Sequence, residues 1–348
     1  MSIEPPPTTA PGSRPASAAA SPGRRPVVAQ SILDLVGQTP MVKLNRIIRV
    51  PNTEVFAKLE FLNPMGSVKD RIAKYMVEKA EREGRIRDGQ LIIENSSGNT
   101  ALGLALVAIQ KGYKLKVVVR DSISREKTDQ LRALGVEIHT VDATLPPESP
   151  YSYNNITPLI VEQTPGCFFP DQHNNRENNE AHYYTTGPEI WEQMDGRIDY
   201  FIAGIGTGGT LCGAARYLKE QDPSIRVIAV DPVGSVFTSY FRTGRCEKSA
   251  PYLIEGLGDE FLIGCVDFSL IDDIIQIGDR DSFHMARRLV REEGVMAGGS
   301  SGAAMCGVFS LLDRLEEPAR IVTIFPDGTS RYLSTIFNDR WMAEKNLL

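Results

Sequence analysis

The sequence predicts an α/β fold built on a largely parallel sheet. Three observations predict it. From Gln30 onward, short β-branched runs alternate with amphipathic helical stretches. Polar or glycine-rich loops follow several of those runs, where ligands of open α/β sheets bind. The chain has 348 residues, 42% hydrophobic and 24% charged, which suits one large domain or two small lobes.

The elements follow in order. EVFAKLE reads as a strand, and SVKDRIAKYMVEKAEREG as a helix closed by Gly84. QLIIE is a strand, TALGLALVAIQKG a helix, KLKVVV a strand, REKTDQLRALG a helix and EIHTV a strand. Residues 142–158, rich in Pro and Asn, read as a connection near the change from one lobe to the other. DYFIAGI, GAARYLKEQ and RVIAVD then repeat strand, helix, strand, and IVTIF is a further strand near the end. No repeat of fixed period is present. Residues 1–29 are rich in Pro, Ser, Ala and Thr and are expected to be disordered. They lack the apolar segment of a signal peptide.

Composition narrows the function. A net charge of −6 does not hold nucleic acid or an anionic membrane by bulk charge. No apolar run is long enough to span a bilayer. Cys167, Cys212, Cys246, Cys265 and Cys306 are scattered, which fits a reducing, cytoplasmic setting. With the four histidines they form no metal-ligand spacing, so no metal is expected.

Four loops carry candidate chemistry. In NPMGSVKDR (63–71), Lys69 falls in the first turn of a helix, where the positive end of the dipole disfavours its charge. A neutral amine is what nucleophilic chemistry on a carbonyl requires; the bland reading is a solvated helix lysine. ENSSGNT (94–100) gathers Ser96, Ser97, Asn99 and Thr100 around Gly98 at a helix start, which suits a carboxylate, or else a simple cap. GIGTGGT (204–210) sets successive N–H groups before a helix, an anion nest or a tight turn. It is not a Walker loop, while its GxGxxG spacing with Asp231 further on keeps a dinucleotide reading open. In MAGGSSGAAM (296–305) two serines cap a helix or meet a ring nitrogen.

Together and in this order, these segments resemble the fold-type-II pyridoxal-phosphate enzymes of the cysteine synthase and cystathionine β-synthase family, from about Ser31 to about Trp341. ILDLVGQTPMVKLNRI, NPMGSVKDR, SSGNT, TTGPEIW, GTGGT and GGSSGAA carry the resemblance. AHYYTTGPEIW, ARYLKE, DPVGSV, PYLIEGLGDEF, DSFHMARRLVREEG and FPDGTSRYLSTIFNDRWM draw it toward the cystathionine β-synthase branch. The resemblance implies a two-lobed, tryptophan synthase β-like fold with parallel sheets flanked by helices. The smaller lobe would hold about 66–176 and the larger about 30–65 plus 177–348, together one catalytic module.

It also implies roles. Lys69 would be the Schiff-base lysine and general base. Asn99, Gly206, Thr207, Gly208, Gly209, Thr210 and Ser300 would bind the cofactor, with Ser300 beside the pyridine nitrogen. Ser96, Ser97, Gly98, Asn99, Thr100 and Gln172 would bind substrate, with His173, Gly256 and Gly258 lining the pocket. His173 stands where the family usually has an aromatic ring, and Asn95-Ser96 where Pro-Thr is common.

The implied reaction is β-replacement on serine or an activated serine, first of all serine plus homocysteine to cystathionine. Sulfide with O-acetylserine or O-phosphoserine, or an amine nucleophile, are the alternatives. A catalytically dead binding protein would be expected to have lost one of these motifs. The substrates are small molecules and the assembly a homodimer. A haem arm is not expected, because residues 1–29 hold no Cys or His, nor is the regulatory tandem module of many members.

Overall fold

The computed structural model describes residues 28–348 apart from 124, 147, 148 and 154. Residues 1–27, most of the segment expected to be disordered, lie outside the described residues. Among the described residues the strands form two sheets. Strands β1 (Met41–Lys43), β2 (Glu54–Leu59), β6 (Tyr200–Gly204), β7 (Arg226–Pro232), β8 (Asp273–Ile277) and β9 (Arg320–Phe325) make a sheet in the order β1-β2-β9-β6-β7-β8. Only β1 runs antiparallel to its neighbour. Strands β3 (Leu91–Asn95), β4 (Lys114–Arg120) and β5 (Glu137–Val141) make a separate parallel sheet.

The helices explain why the large sheet is apolar on both faces. On β6, Phe201 and Ala203 face one core and Ile202 the other; β7 splits Val227 and Ala229 from Ile228 and Val230 in the same way. The first core is closed by α6 (Thr186–Gln193) and α7 (Gly209–Gln221), through Ile190, Leu211 and Leu218. The second is closed by α9 (Asp279–Arg288) and α10 (Gly299–Leu312), through Phe283, Met305 and Val308. The small sheet packs on α1 (Lys69–Arg82) and α2 (Asn99–Lys111). Gly84, at φ +69°, follows α1 where the sequence places its end. Further helices are α3 (Arg125–Ala133), α4 (Ile156–Glu162), α5 (Glu177–Tyr184), α8 (Phe237–Thr243) and α11 (Asp339–Glu344).

Residues 142–158 do not lead directly to the other sheet. They run into α4, after which Phe168 returns to bridge Ile92 of β3. The β-rich run around Phe168 is too short to read as a strand, yet its backbone bonds both Leu91 and Ile93.

Candidate active site

The loop after β2 is fixed to the end of β9 before it becomes a helix. The Val68 N–H donates to the Pro326 carbonyl at 2.8 Å, and Ser67 pairs with Asp327. Helix α1 then opens at Lys69 itself. Its first turn lies hard against α2: a Cβ on Gly103 would come 3.0 Å from the Lys69 carbonyl oxygen. That contact fixes the lysine backbone. Its side chain points toward the glycine loop, with Nζ 3.4 Å from Thr207 Oγ1.

Burial pulls the Lys69 amine down to about 8, and a nearby Cys265 acts weakly in the opposite sense. Desolvation therefore lowers it, beside the dipole of the helix that opens at this residue. A freely solvated lysine does not fit this position.

Two residues on, Arg71 anchors the same turn from behind. It binds Glu60 through Nε at 2.6 Å and Glu189 through Nη1 at 2.7 Å. Lys58 adds a 2.8 Å ion pair to Glu189. Burial pushes the Glu60 carboxyl upward, but the adjoining guanidinium overcomes it and holds Glu60 below the usual range.

The loop after β3 approaches from the small sheet. Glu94 is fully buried and accepts the N–H groups of Asn95 at 3.0 Å and Gln172 at 3.3 Å. Burial raises it to about 8. Ser96 Oγ accepts from the Gly98 and Ala101 N–H groups at 3.4 and 3.3 Å, so this serine, two residues before the Gly98 N-cap, takes up a donor of the first turn of α2. Thr100 Oγ1 donates to Gln172 Oε1 at 2.6 Å, tying the 171–173 loop to the helix start. Asn99 Nδ2 donates to Asp327 Oδ2 at 2.8 Å, an oxygen that also receives the Tyr332 hydroxyl at 2.7 Å. Ser97 and Gly98 are half-buried at the bend between them.

The third wall is the glycine loop between β6 and α7. Its glycines are needed because the backbone is pressed against other chain. A Cβ on Gly206 would fall 2.2 Å from the Gly256 carbonyl oxygen, and one on Gly209 would fall 1.7 Å from Asn178 Oδ1. With that face blocked, the N–H groups from Gly206 to Thr210 donate to no protein acceptor among the described residues. Together with the hydroxyls of Thr207 and Thr210, at the start of a 13-residue helix, they are a donor set suited to an anion.

The remaining candidates lie around this frame. The Gly258 N–H donates to the Ile205 carbonyl at 2.8 Å, so Gly256 and Gly258 brace the underside of the glycine loop. His173 is half-buried, and its carbonyl accepts the Cys265 N–H at 3.0 Å. Its imidazole is lowered by burial first and by the Lys69 charge second, against Asp171. Ser300 is buried near the start of α10, and Ser301 Oγ beside it has no hydrogen-bond partner among the described residues. Sequence reasoning gave no role to Glu94, Asn178, His182 or Asp327, which bond residues of these loops, or to Tyr332, which bonds Asp327.

The donor set fits a phosphate-bearing carbonyl compound: a nest for the anion, and a desolvated amine beside it for the carbonyl. Among the described residues no cluster of three or more His, Cys, Asp or Glu is placed to hold a metal ion. Nor, among them, is any helix long and apolar enough to cross a membrane.

Comparison with known proteins agrees with this geometry. Residues 32–327 match the family model described as pyridoxal-phosphate dependent enzyme. A cystathionine beta-synthase from Rattus norvegicus is 41% identical over 94% of this chain. The match spans only 58% of the rat protein's own length. A cysteine synthase from Staphylococcus aureus is 40% identical over 88% of this chain and 96% of its own. The crystal structure of a hydrogen sulfide-producing enzyme from Fusobacterium nucleatum superposes with a TM-score of 0.79 at 36% identity, covering 87% of this chain and 97% of that one.

Proposed function

This chain belongs to the pyridoxal-phosphate-dependent enzymes, within the cystathionine β-synthase and cysteine synthase group, and from that premise we propose that it joins serine to homocysteine to form cystathionine. The observation that carries the reaction class is the desolvated Lys69 amine beside the glycine loop, 3.4 Å from Thr207 Oγ1. The nucleophile and leaving group rest on the relatives bearing the cystathionine beta-synthase name, from rat to honeybee, slime mould and yeast, at 39–41% identity. The module works as two lobes, 66–176 and 30–65 plus 177–348, and as a homodimer.

The Gly206–Thr210 loop would hold the cofactor phosphate, Lys69 its aldehyde, Asn99 its ring hydroxyl and Ser300 its ring nitrogen. When bound, pyridoxal phosphate supplies the electron sink for the pair left at the substrate Cα. The chain does the rest. Ser97, Asn99 and Thr100 seat the substrate carboxylate at the start of α2, and Ser96 shapes that seat through the backbone. Gln172, tied to Thr100, closes its outer side. Lys69, with an amine pulled down to about 8, takes the Cα proton as the β-hydroxyl leaves with a proton as water, and returns it to Cα once the thiol, its own proton given up to replace that one, has added at Cβ. Ser300 offers a neutral hydroxyl, where a carboxylate would hold the ring nitrogen protonated.

A second reading, cysteine synthesis from O-acetylserine or O-phosphoserine with sulfide, is favoured by the Staphylococcus relative that this chain matches along 96% of its length. The deciding experiment offers serine, O-acetylserine and O-phosphoserine with homocysteine, sulfide and amines, and reads product masses and kcat/KM. Cystathionine from unactivated serine should dominate. Dominant cysteine from O-acetylserine and sulfide would replace the proposal with the second reading.

A further inference from the structure

Helix α5 has a polar sequence, ENNEAHYY, yet it is pressed closely into the molecule. Asn178 and His182 are both 0% exposed, four residues apart and hence on one face. That face meets the start of α7, where glycines make room. A Cβ on Gly213 would lie 2.2 Å from the Asn179 carbonyl and 2.9 Å from His182 Cβ. From it, Asn178 Nδ2 reaches Thr207 Oγ1 at 3.0 Å, and His182 Nε2 reaches Thr210 Oγ1 at 3.1 Å. One helix thus touches both hydroxyls of the glycine loop.

The hydrogen positions at Thr207 follow from counting. Asn178 Nδ2 also donates to the Gln172 carbonyl at 2.6 Å, which fixes the amide with its nitrogen on that side. Thr207 Oγ1 therefore accepts from Asn178, and it accepts from Lys69 Nζ at 3.4 Å. A hydroxyl has two lone pairs and one proton. With a lone pair engaged by Asn178, the Thr207 proton points away from that amide and is left to donate into the loop, whether or not Lys69 is held by an aldehyde.

The His182 ring stands between Thr186 Oγ1, 2.8 Å from Nδ1, and Thr210 Oγ1. Burial keeps this imidazole neutral, down to about 3. Only one tautomer suits an anion in the loop. With the proton on Nε2, Thr186 donates to Nδ1, Nε2–H donates to Thr210, and the Thr210 proton is free to point at the anion. The other tautomer would turn lone pairs of Thr210 toward a negative charge.

We propose that Asn178 and His182 are positioning residues for the cofactor phosphate, which set Thr207 and Thr210 as outward hydrogen-bond donors. Their chemistry selects a phosphoryl group over an uncharged hydroxymethyl group at the same place. The inference rests on the assignment of pyridoxal phosphate to this site.

The test compares binding of pyridoxal 5′-phosphate and of pyridoxal, which lacks the phosphate, to protein stripped of cofactor. Variants are Asn178→Leu, His182→Leu, His182→Gln, Thr207→Val and the double variant Asn178→Leu with Thr207→Val. Either leucine variant should reduce the preference for the phosphorylated ligand about tenfold, the size of one charge-assisted hydrogen bond. His182→Gln, whose amide nitrogen can stand in for Nε2–H, should keep most of it. Asn178→Leu should add little in the Thr207→Val background, since it acts through that hydroxyl. Equal weakening of both ligands would mean packing alone and would overturn the proposal, as would an unchanged preference. Should a leucine variant not fold, Thr207→Val and His182→Gln still decide: no loss in the first, or full loss in the second, contradicts the relay. Wild-type protein that binds neither ligand would defeat the cofactor assignment itself.

Discussion

Lys69 and Arg71 stand two residues apart in the first turn of α1, and the protein treats their charges in opposite ways. Arg71 is buried and saturated: Glu60, Glu189 and the Thr39 hydroxyl take its donors at 2.6 to 3.2 Å. Lys69 points at the glycine loop, where Thr207 lies 3.4 Å from its Nζ, and among the described residues no carboxylate pairs with it. One charge is compensated so that the helix start stays in place. The other is left uncompensated, so that its proton leaves easily. Rigid support behind and a reactive amine in front are separated by half a turn of helix.

Paired substitutions test this contrast most strongly. Lys69→Met should abolish borohydride-stable attachment of pyridoxal phosphate and lower turnover by about 10² to 10⁴, the usual range for a lost general base. It should leave the thermal midpoint of the cofactor-free protein unchanged or raised, because no ion pair is broken. Arg71→Met should do the reverse. It strands Glu60 and Glu189 and should cost about 3–5 kcal/mol in chemical denaturation. If the lysine variant unfolds as readily as the arginine variant, the division between support and chemistry fails.

A pH series sharpens the same point with a smaller effect. Neutral amine is the nucleophile, so its fraction rises with pH and is half complete at the folded pKa. With Lys69 at about 8, covalent capture of pyridoxal phosphate by stripped protein should accelerate as pH climbs toward 8 and level off above it. An ordinary lysine would keep accelerating to about 10.4. Stopped-flow absorbance from pH 6.5 to 10 distinguishes the two.

The same contrast marks what could be read in the sequence. Strands such as KLKVVV and RVIAVD were legible because both faces of a parallel strand are buried, which leaves a β-branched run. Strands β1 and β8 escaped: MVK is three residues at a sheet edge, and DIIQI offers little beyond a short apolar core. Helix α5 escaped because its buried residues are Glu177, Asn178, Ala181 and His182, a single apolar side chain among polar ones and no apolar period. Lys69 and the glycine loop were visible as local patterns. Asp327, which holds Asn99 from 228 residues away, was not, because no local pattern records a contact made by sheet topology. Arg71 was likewise legible only as one more basic residue of an amphipathic helix.

His173 supplies the smallest and most specific test of the contrast. Where the family usually has an aromatic ring, an imidazole could orient or protonate a leaving hydroxyl, pair with a phosphate or second carboxylate of a different substrate, or only fill the volume of the ring. The structure lowers its pKa below the ordinary 6.5, by burial and then by the Lys69 charge, with Asp171 opposing. At neutral pH the ring is therefore uncharged, and it serves as a hydrogen-bond donor or acceptor rather than as a store of protons. Two outcomes follow. His173→Tyr should leave the alkaline limb of the kcat/KM profile where it is and alter only the limb below about pH 6.5. Lys69→Met, by removing a neighbouring positive charge, should raise the His173 pKa in the stripped protein, though not to the ordinary value, because the burial remains. Histidine ring-proton NMR titration of the two proteins reads this directly. An unmoved His173 titration would mean that the Lys69 charge does not reach across the cleft. The site would then be well enough solvated to screen that charge, at odds with the burial that pulls the Lys69 amine down to about 8.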